Sequence, residues 1–267
     1  MSESAESLQS LVGAVEHVAR IAGDIALSHY RTSLVVESKA DGSPVTIADR
    51  SAEQAARAWI ESRFPNDGIL GEELGIARPD ALRRWILDPI DGTKTFVRGV
   101  PLWGTLVGVC ERDDVLAGAA YFPALGEMLA AAQGEGCWWN GTRSRVSLLA
   151  TLRDATVLTT DERFAGDSAH LAGWRSLSAK AAVSRSWGDC YGYLLVATGR
   201  AEVMVDGIVS PWDAAALMPI VEEAGGVFSD WAGTRTAFGG SAVATNQGVA
   251  SESRLLLGTG TTRDVHA

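Results

Sequence analysis

Carboxylates carry the most distinctive spacing in this chain: Gly71-Glu72-Glu73, then Asp88-Pro89-Ile90-Asp91-Gly92-Thr93, then Trp212-Asp213-Ala214-Ala215. The first two segments follow the apolar runs Ile69-Leu70 and Trp85-Ile86-Leu87, so acid clusters end two consecutive buried strands. An isolated carboxylate in such surroundings is expensive to desolvate unless it is paired or bound to a metal. Pro89 fixes the backbone after Asp88 and Gly92 permits a sharp turn, so Asp88 and Asp91 can converge with the Ile90 carbonyl directed at the same point. Hard oxygen donors in that arrangement suit Mg2+, which favours near-octahedral oxygen coordination and retains waters that can become nucleophiles. Each piece also has a plainer reading. Asp-Pro-x-Asp-Gly makes a good solvated turn, Asp213 stands at an apparent helix start where it serves equally as a cap, and Thr46-x-x-Asp49 has the spacing of a capping box.

The elements that must position these acids follow from periodicity. Apolar residues at helical spacing over 8–30 predict a long amphipathic first helix; 34–37 reads as a short strand, 41–44 as a turn and 46–64 as a second helix ending before Pro65. The runs 102–110, 115–121 and 127–132 predict an antiparallel meander, with a further turn at Asn140-Gly141. In the second half, 155–158, 181–185, 201–205, 227–228 and 242–245 read as strands. The spacing predicts helices over 168–179, 191–198, 211–224 and 251–257, with Gly225-Gly226 as the stop of the third. This alternation predicts a layered α/β architecture. The chain has no internal repeat and no Pro- or Ser-rich linker. Residues 1–258 are therefore expected to form one catalytic unit of two sheet-containing halves, 1–145 and 146–258, followed by a frayed tail at 259–267.

Composition narrows the function. Over 267 residues, 46% hydrophobic and 21% charged content excludes wholesale disorder, collagen-like and coiled-coil chains. A net charge of −10 removes the usual electrostatic drive for nucleic-acid binding, and an anionic substrate would need metals to approach. Cys110, Cys137 and Cys190 are odd in number and lack CxxC spacing, against both a disulfide framework and a thiolate zinc site. The opening MSESAESLQS has no basic region before an apolar run, and no apolar stretch approaches the roughly 20 residues of a membrane helix, so a cytoplasmic protein without a membrane partner is expected. No P-loop, GxSxG elbow or HExxH zinc helix is present.

In order along the chain, Lys39 to Asp49, Gly71-Glu72-Glu73, Asp88-Pro89-Ile90-Asp91-Gly92-Thr93 and Trp212-Asp213-Ala214-Ala215 resemble the inositol monophosphatase family of magnesium-dependent, lithium-sensitive phosphatases. The resemblance spans nearly the whole chain and implies an αβαβα sugar-phosphatase fold that hydrolyses a small phosphate monoester. It implies two or three Mg2+ ions, with Mn2+ as a substitute, held by Glu72, Asp88, Asp91, Asp213 and the Ile90 carbonyl. Asp88 would bridge two ions, and Asp49 would stand behind a weaker third site. Glu72 and the Thr93 hydroxyl would orient a water for in-line attack on phosphorus, with no phosphoenzyme. The Gly92 and Thr93 amides would grip the phosphate, with Ile90, Asp91 and Asp213 bordering the substrate. Lys39 matches a family lysine near the metal waters, although a lone strand lysine is commonly solvated. Glu73 is assigned a supporting role. A homodimer is implied as well, with no interface identifiable in the sequence.

Substrate choice rests on departures from the inositol pattern. After Thr93 the chain continues Lys94-Thr95-Phe96, where inositol phosphatases commonly have a Thr-Asn-Phe type continuation. The stretch Arg185-Ser186-Trp187-Gly188-Asp189-Cys190-Tyr191-Gly192-Tyr193 resembles the histidinol-phosphate phosphatase branch, and inositol enzymes usually carry small residues where Asp189 and Tyr191 stand. Histidinol phosphate bears an ammonium and an imidazole, so Asp189 can pair with its cationic portion; Asp189 reads equally as a helix cap. Arg185 is a candidate for phosphate or metal-bound water, and Asp206 for the alcohol or amine. The resemblance thus implies histidinol-phosphate hydrolysis in histidine biosynthesis. An inositol-1-phosphate or broader sugar-phosphate phosphatase, or a noncatalytic binding protein of the same fold, are the alternatives.

Overall fold

The apolar stripe near the start of the chain becomes α1 (Leu8–His29), capped by the Ser7 hydroxyl, which accepts the Ser10 amide; it buries Leu11, Val15, Val18, Ala19, Ala22 and Ala26. The computed structural model describes residues 7–39 and 44–258, so the predicted tail and most of the predicted 41–44 turn lie outside the described residues. A small ribbon, β1 (Glu37–Ser38) with β2 (Pro44–Val45), leads into α2 (Ile47–Arg63), which packs beside α1. Of the strand expected at 34–37 only Glu37 pairs, and Val35 is 80% exposed. β-Branched residues favour a strand only where a neighbouring sheet receives them.

The first large sheet contains β3 (Gly68–Gly71), β4 (Gly75–Ala77), β5 (Arg83–Asp91), β6 (Gly104–Glu111), β7 (Asp114–Phe122), β8 (Glu127–Ala132), β9 (Gly136–Trp139) and β10 (Thr142–Arg143). Its order is β10-β9-β8-β7-β6-β5-β3-β4, antiparallel throughout except for the β3–β5 pair. The expected meander is β6 to β8. Asn140 and Gly141 join β9 to β10 with φ values of 47° and 77°, as a two-residue hairpin turn requires. A single-turn helix, α3 (Thr93–Val97), follows β5.

The second sheet has order β12-β11-β13-β15-β14, from β11 (Thr156–Thr159), β12 (Val183–Arg185), β13 (Val203–Asp206), β14 (Val227–Ser229) and β15 (Ala242–Thr245). Its helices are α4 (Ser168–Lys180), α5 (Asp189–Ala197), α6 (Pro211–Ala214), α7 (Leu217–Glu223) and α8 (Ala250–Leu257). The helix expected at 211–224 keeps helical backbone angles through Ala215 and Ala216, but its hydrogen-bond ladder is interrupted between α6 and α7 because Pro219 has no amide for the Ala215 carbonyl. The broken segment lies directly on the first sheet: a Cβ at Gly118 would come within 2.2 Å of the Ala216 oxygen.

Three buried clusters stack these elements as αβαβα. One lies between α1, α2 and the first sheet, a second joins both sheets through α5, α6 and α7, and the third lies under α4 and α8. Each fully buried Leu, Ile or Phe contributes about 1.5–3 kcal/mol relative to exposure. The middle layer is what brings residues of the two halves to one site.

Candidate active site

Register irregularity in β5 aims the central acids. Asp88 pairs with Leu106 and Asp91 with Gly104, so three steps along β5 match two along β6. The extra residue lies at Pro89-Ile90, where proline has no amide to give the ladder, and the Pro89 carbonyl instead accepts the Thr105 hydroxyl at 2.8 Å. Residues three apart on a regular strand face opposite sides, and the bulge turns Asp88 and Asp91 to the same side. Gly92 then adopts φ 84° and starts α3, with Thr93 as its first residue.

Asp213 arrives from the other half. Its Oδ2 accepts the Ser210 amide at 2.7 Å in the first turn of α6, so it is a helix cap and a site residue at once. Single carboxylate oxygens of Asp88, Asp91 and Asp213 all lie within 4.8 Å of one another. Burial pushes all three carboxyls up; repulsion from Glu72 and the other two acids adds to it at Asp88, from Asp189 and Asp213 at Asp91, and from Glu72 and Asp189 at Asp213, which reaches about 6 although hydrogen bonds with Ser210 and Asp88 work against the rise. Such a cluster of oxygen donors, destabilised by its own charge, fits a divalent cation of the magnesium type.

Glu72 lies outside that triad at the end of β3, next to Asp88 electrostatically. The Lys39 ammonium donates to Glu72 Oε1 at 2.7 Å and Glu73 Oε1 at 2.6 Å. Burial alone would depress Lys39, but the two carboxylates outweigh it and hold its pKa above the usual lysine range. Glu73 is pushed up to about 7, mainly by burial. The supporting role expected of Glu73 thus has a visible partner.

Asp49 is fully buried at the start of α2 and completes the predicted capping box, accepting the Thr46 amide and hydroxyl on Oδ2. Its Oδ1 faces the Thr93 hydroxyl at 3.5 Å, and the same hydroxyl donates to the Ile90 carbonyl at 2.9 Å. One turn along α2, buried Glu53 accepts the amides of Glu73 at 2.8 Å and Leu74 at 3.1 Å and pairs with Arg57 at 2.7 Å. Gly71 is required here, since a Cβ would stand 2.0 Å from Glu53 Oε1. Glu53 was not singled out in the sequence, although a glutamate in line with buried Ala52, Ala56 and Ile60 is the kind of anomaly that marks a buried polar role.

Beside the acid triad lies a cavity of about 90 Å³ lined by Asp91, Asp189, Asp206 and Asp213, with Thr160 and Tyr193. Asp189 opens α5 with φ 50°, its amide donating to Thr160 Oγ1 at 2.8 Å and its Oδ2 accepting Thr95 Oγ1 at 3.2 Å. Asp206 accepts the Thr160 amide at 3.1 Å and the Tyr193 hydroxyl at 2.9 Å, and burial lifts it to about 6. Arg185 is exposed and donates to the Ser184 carbonyl at 2.7 Å; among the described residues its side chain makes no other hydrogen bond. Thr95, Thr160 and Tyr193 have no local signal that marks them, because their partners are distant in sequence.

With fold and site in view, the class is defined: residues 7–263 match the model of the inositol monophosphatase family, and the chain belongs to that family of phosphatases. Among its relatives, the histidinol-phosphatase of Chlorobaculum parvum is 45% identical over 84% of this chain and 86% of its own, and that of Mycobacterium tuberculosis is 38% identical over 80% and 84%. Among solved structures, an inositol monophosphatase from Zymomonas mobilis superposes with a TM-score of 0.85 at 32% identity, covering 95% of this chain and all of that one. The extragenic suppressor protein suhB from Bartonella henselae gives 0.88 at 27% identity, over 94% of this chain and 100% of its own. The layered fold expected from the sequence is therefore the observed one.

Proposed function

We propose that the protein is a Mg2+-dependent histidinol-phosphate phosphatase that releases phosphate and L-histidinol by direct attack of water. The observation that carries the hydrolytic reading is the convergence of Asp88, Asp91 and Asp213 from both halves beside the Gly92–Thr93 turn. The 45% identity to a histidinol-phosphatase supports the substrate.

Asp88, Asp91 and Asp213, together with Glu72 and the Ile90 carbonyl, would hold two or three Mg2+ ions, with Mn2+ an acceptable substitute. When bound, the metal neutralises phosphate charge and lowers the pKa of water to supply a nucleophile at neutral pH. The protein's own groups do the rest. The Thr93 hydroxyl donates to the Ile90 carbonyl, which leaves its oxygen lone pairs to accept a hydrogen bond from the attacking water. Asp49 stands behind Thr93 from α2, and the Lys39 ammonium holds the Glu72 carboxylate in place. The Gly92 and Thr93 amides, where α3 begins, would bind the phosphate oxygens. Asp189 would pair with the cationic part of the alcohol, while Asp206 forms the wall behind it.

The test is phosphate release from histidinol phosphate, inositol 1-phosphate, fructose 1,6-bisphosphate and an aryl phosphate, with Mg2+ and with EDTA. Mg2+-dependent preference for histidinol phosphate is expected. Preference for inositol 1-phosphate would reverse the substrate assignment, and activity undiminished by EDTA would remove the metal from the mechanism.

A further inference from the structure

The carboxylates of the cavity beside the acid triad are not equivalent. Both oxygens of Asp206 are engaged, one by the Thr160 amide and one by the Tyr193 hydroxyl. Asp189 has one oxygen engaged, by Thr95; among the described residues its Oδ1 accepts no hydrogen bond, and the residue lines the cavity. A cation entering there meets one open carboxylate oxygen outside the acid triad.

That oxygen is held from two directions. On the side-chain side, the Thr95 hydroxyl, from α3, takes Oδ2 at 3.2 Å, and Gly92 leaves the room, since a Cβ there would stand 3.0 Å from Oδ2. On the backbone side, Asp189 sits at φ 50°, a conformation that aspartate adopts at a cost and that its surroundings must enforce. Its amide is fixed by Thr160 Oγ1, and the Thr160 amide is fixed by Asp206, which Tyr193 holds in turn. Gly188 permits this contact, because a Cβ would come within 2.3 Å of Thr160 Cα.

We propose that Thr95 and Thr160 are specificity-positioning residues: they aim Asp189 Oδ1 at the cationic portion of the substrate, with Asp206 and Tyr193 holding Thr160 from behind. This rests on the histidinol-phosphate reading. A single-oxygen anchor leaves a free carboxylate two dihedral angles to wander through; pinning both the backbone and the second oxygen removes that freedom before substrate arrives. The consequence is discrimination by the alcohol, separate from the chemistry at phosphorus.

Thr95→Val removes the hydroxyl at nearly constant volume, and Thr95→Ser restores it. The ratio of kcat/KM for histidinol phosphate to that for inositol 1-phosphate is expected to fall about tenfold in the valine variant, the size of one hydroxyl withdrawn from a carboxylate. The fall should come from a higher KM for histidinol phosphate, with kcat retained and the serine variant within about twofold of wild type. Calorimetric titration with L-histidinol should show the same loss of affinity, and Thr160→Val the same direction of change. Full preference retained by Thr95→Val, or an equal loss on both substrates, overturns the positioning role. Equal turnover of both substrates by the wild-type enzyme overturns the substrate reading beneath it.

Discussion

Asp206→Asn should stabilise the metal-free protein at neutral pH. The carboxyl is buried and its pKa stands at about 6 against an ordinary value of 3.8, with burial outweighing the hydrogen bonds from Thr160 and Tyr193. A shift of about two units corresponds to about 3 kcal/mol of strain in the charged form. The sign follows from proton linkage. Below the unfolded pKa both states are protonated and the strain is absent; it grows as pH rises from about 4 to 6 and is fully present above about 7. Asparagine keeps the acceptor for the Thr160 amide and turns an amide toward Tyr193, whose hydroxyl oxygen can accept it. Allowing about 1 kcal/mol for that rearranged contact leaves a net gain of about 2 kcal/mol at pH 7.5. For a chain of this size the gain is worth about 4–8 °C in melting temperature. Thermal unfolding of both proteins in EDTA, followed from pH 4.5 to 8, measures it. The variant's advantage should widen as pH rises. A pH-independent difference, or a variant less stable than wild type at pH 7.5, refutes the burial argument.

Three further substitutions separate charge, packing and recognition. Asp91→Asn should lower phosphatase turnover at least about a hundredfold while raising the melting temperature in EDTA, since it removes one like charge from a buried triad; steady-state assay and calorimetry together check both halves, and unchanged turnover in Mg2+ refutes the role. Gly71→Ala forces a methyl group against Glu53, so a loss of about 1–3 kcal/mol in denaturant unfolding is expected, together with weaker Mg2+ binding by titration as the Glu72 segment shifts. Asp189→Ala should raise KM for histidinol phosphate about tenfold or more and that for inositol 1-phosphate by less, and equal effects in parallel kinetics would make Asp189 structural.

Much of the molecule is written locally. The 3.6-residue stripe of α1, the capping box that starts α2, the Asn140-Gly141 hairpin and the glycine before α3 each depend on neighbours a few residues away, so their sequence signals survive in the structure. The acids Glu72, Asp88, Asp91 and Asp213 were legible as candidates for the same reason: charged side chains next to apolar strands are costly and need an explanation. Local signals failed where a distant partner decided the outcome. The 34–37 segment has strand-forming residues but little sheet to join, whereas the interruption between α6 and α7 is itself local, since Pro219 lies four residues after Ala215 and offers it no amide.

What only the tertiary structure decided is which of these groups meet. A bulge one residue long turns Asp88 and Asp91 to one side, and the middle helical layer brings Asp213 and Asp189 to them from more than a hundred residues away or close to it. Glu53, Thr95, Thr160 and Tyr193 acquire their roles in the same way, through hydrogen bonds that span 20, 94, 29 and 13 residues. Spacing along a chain constrains contacts within a turn or a strand. Contacts between elements depend on how buried faces stack, and that is a property of the whole packed molecule.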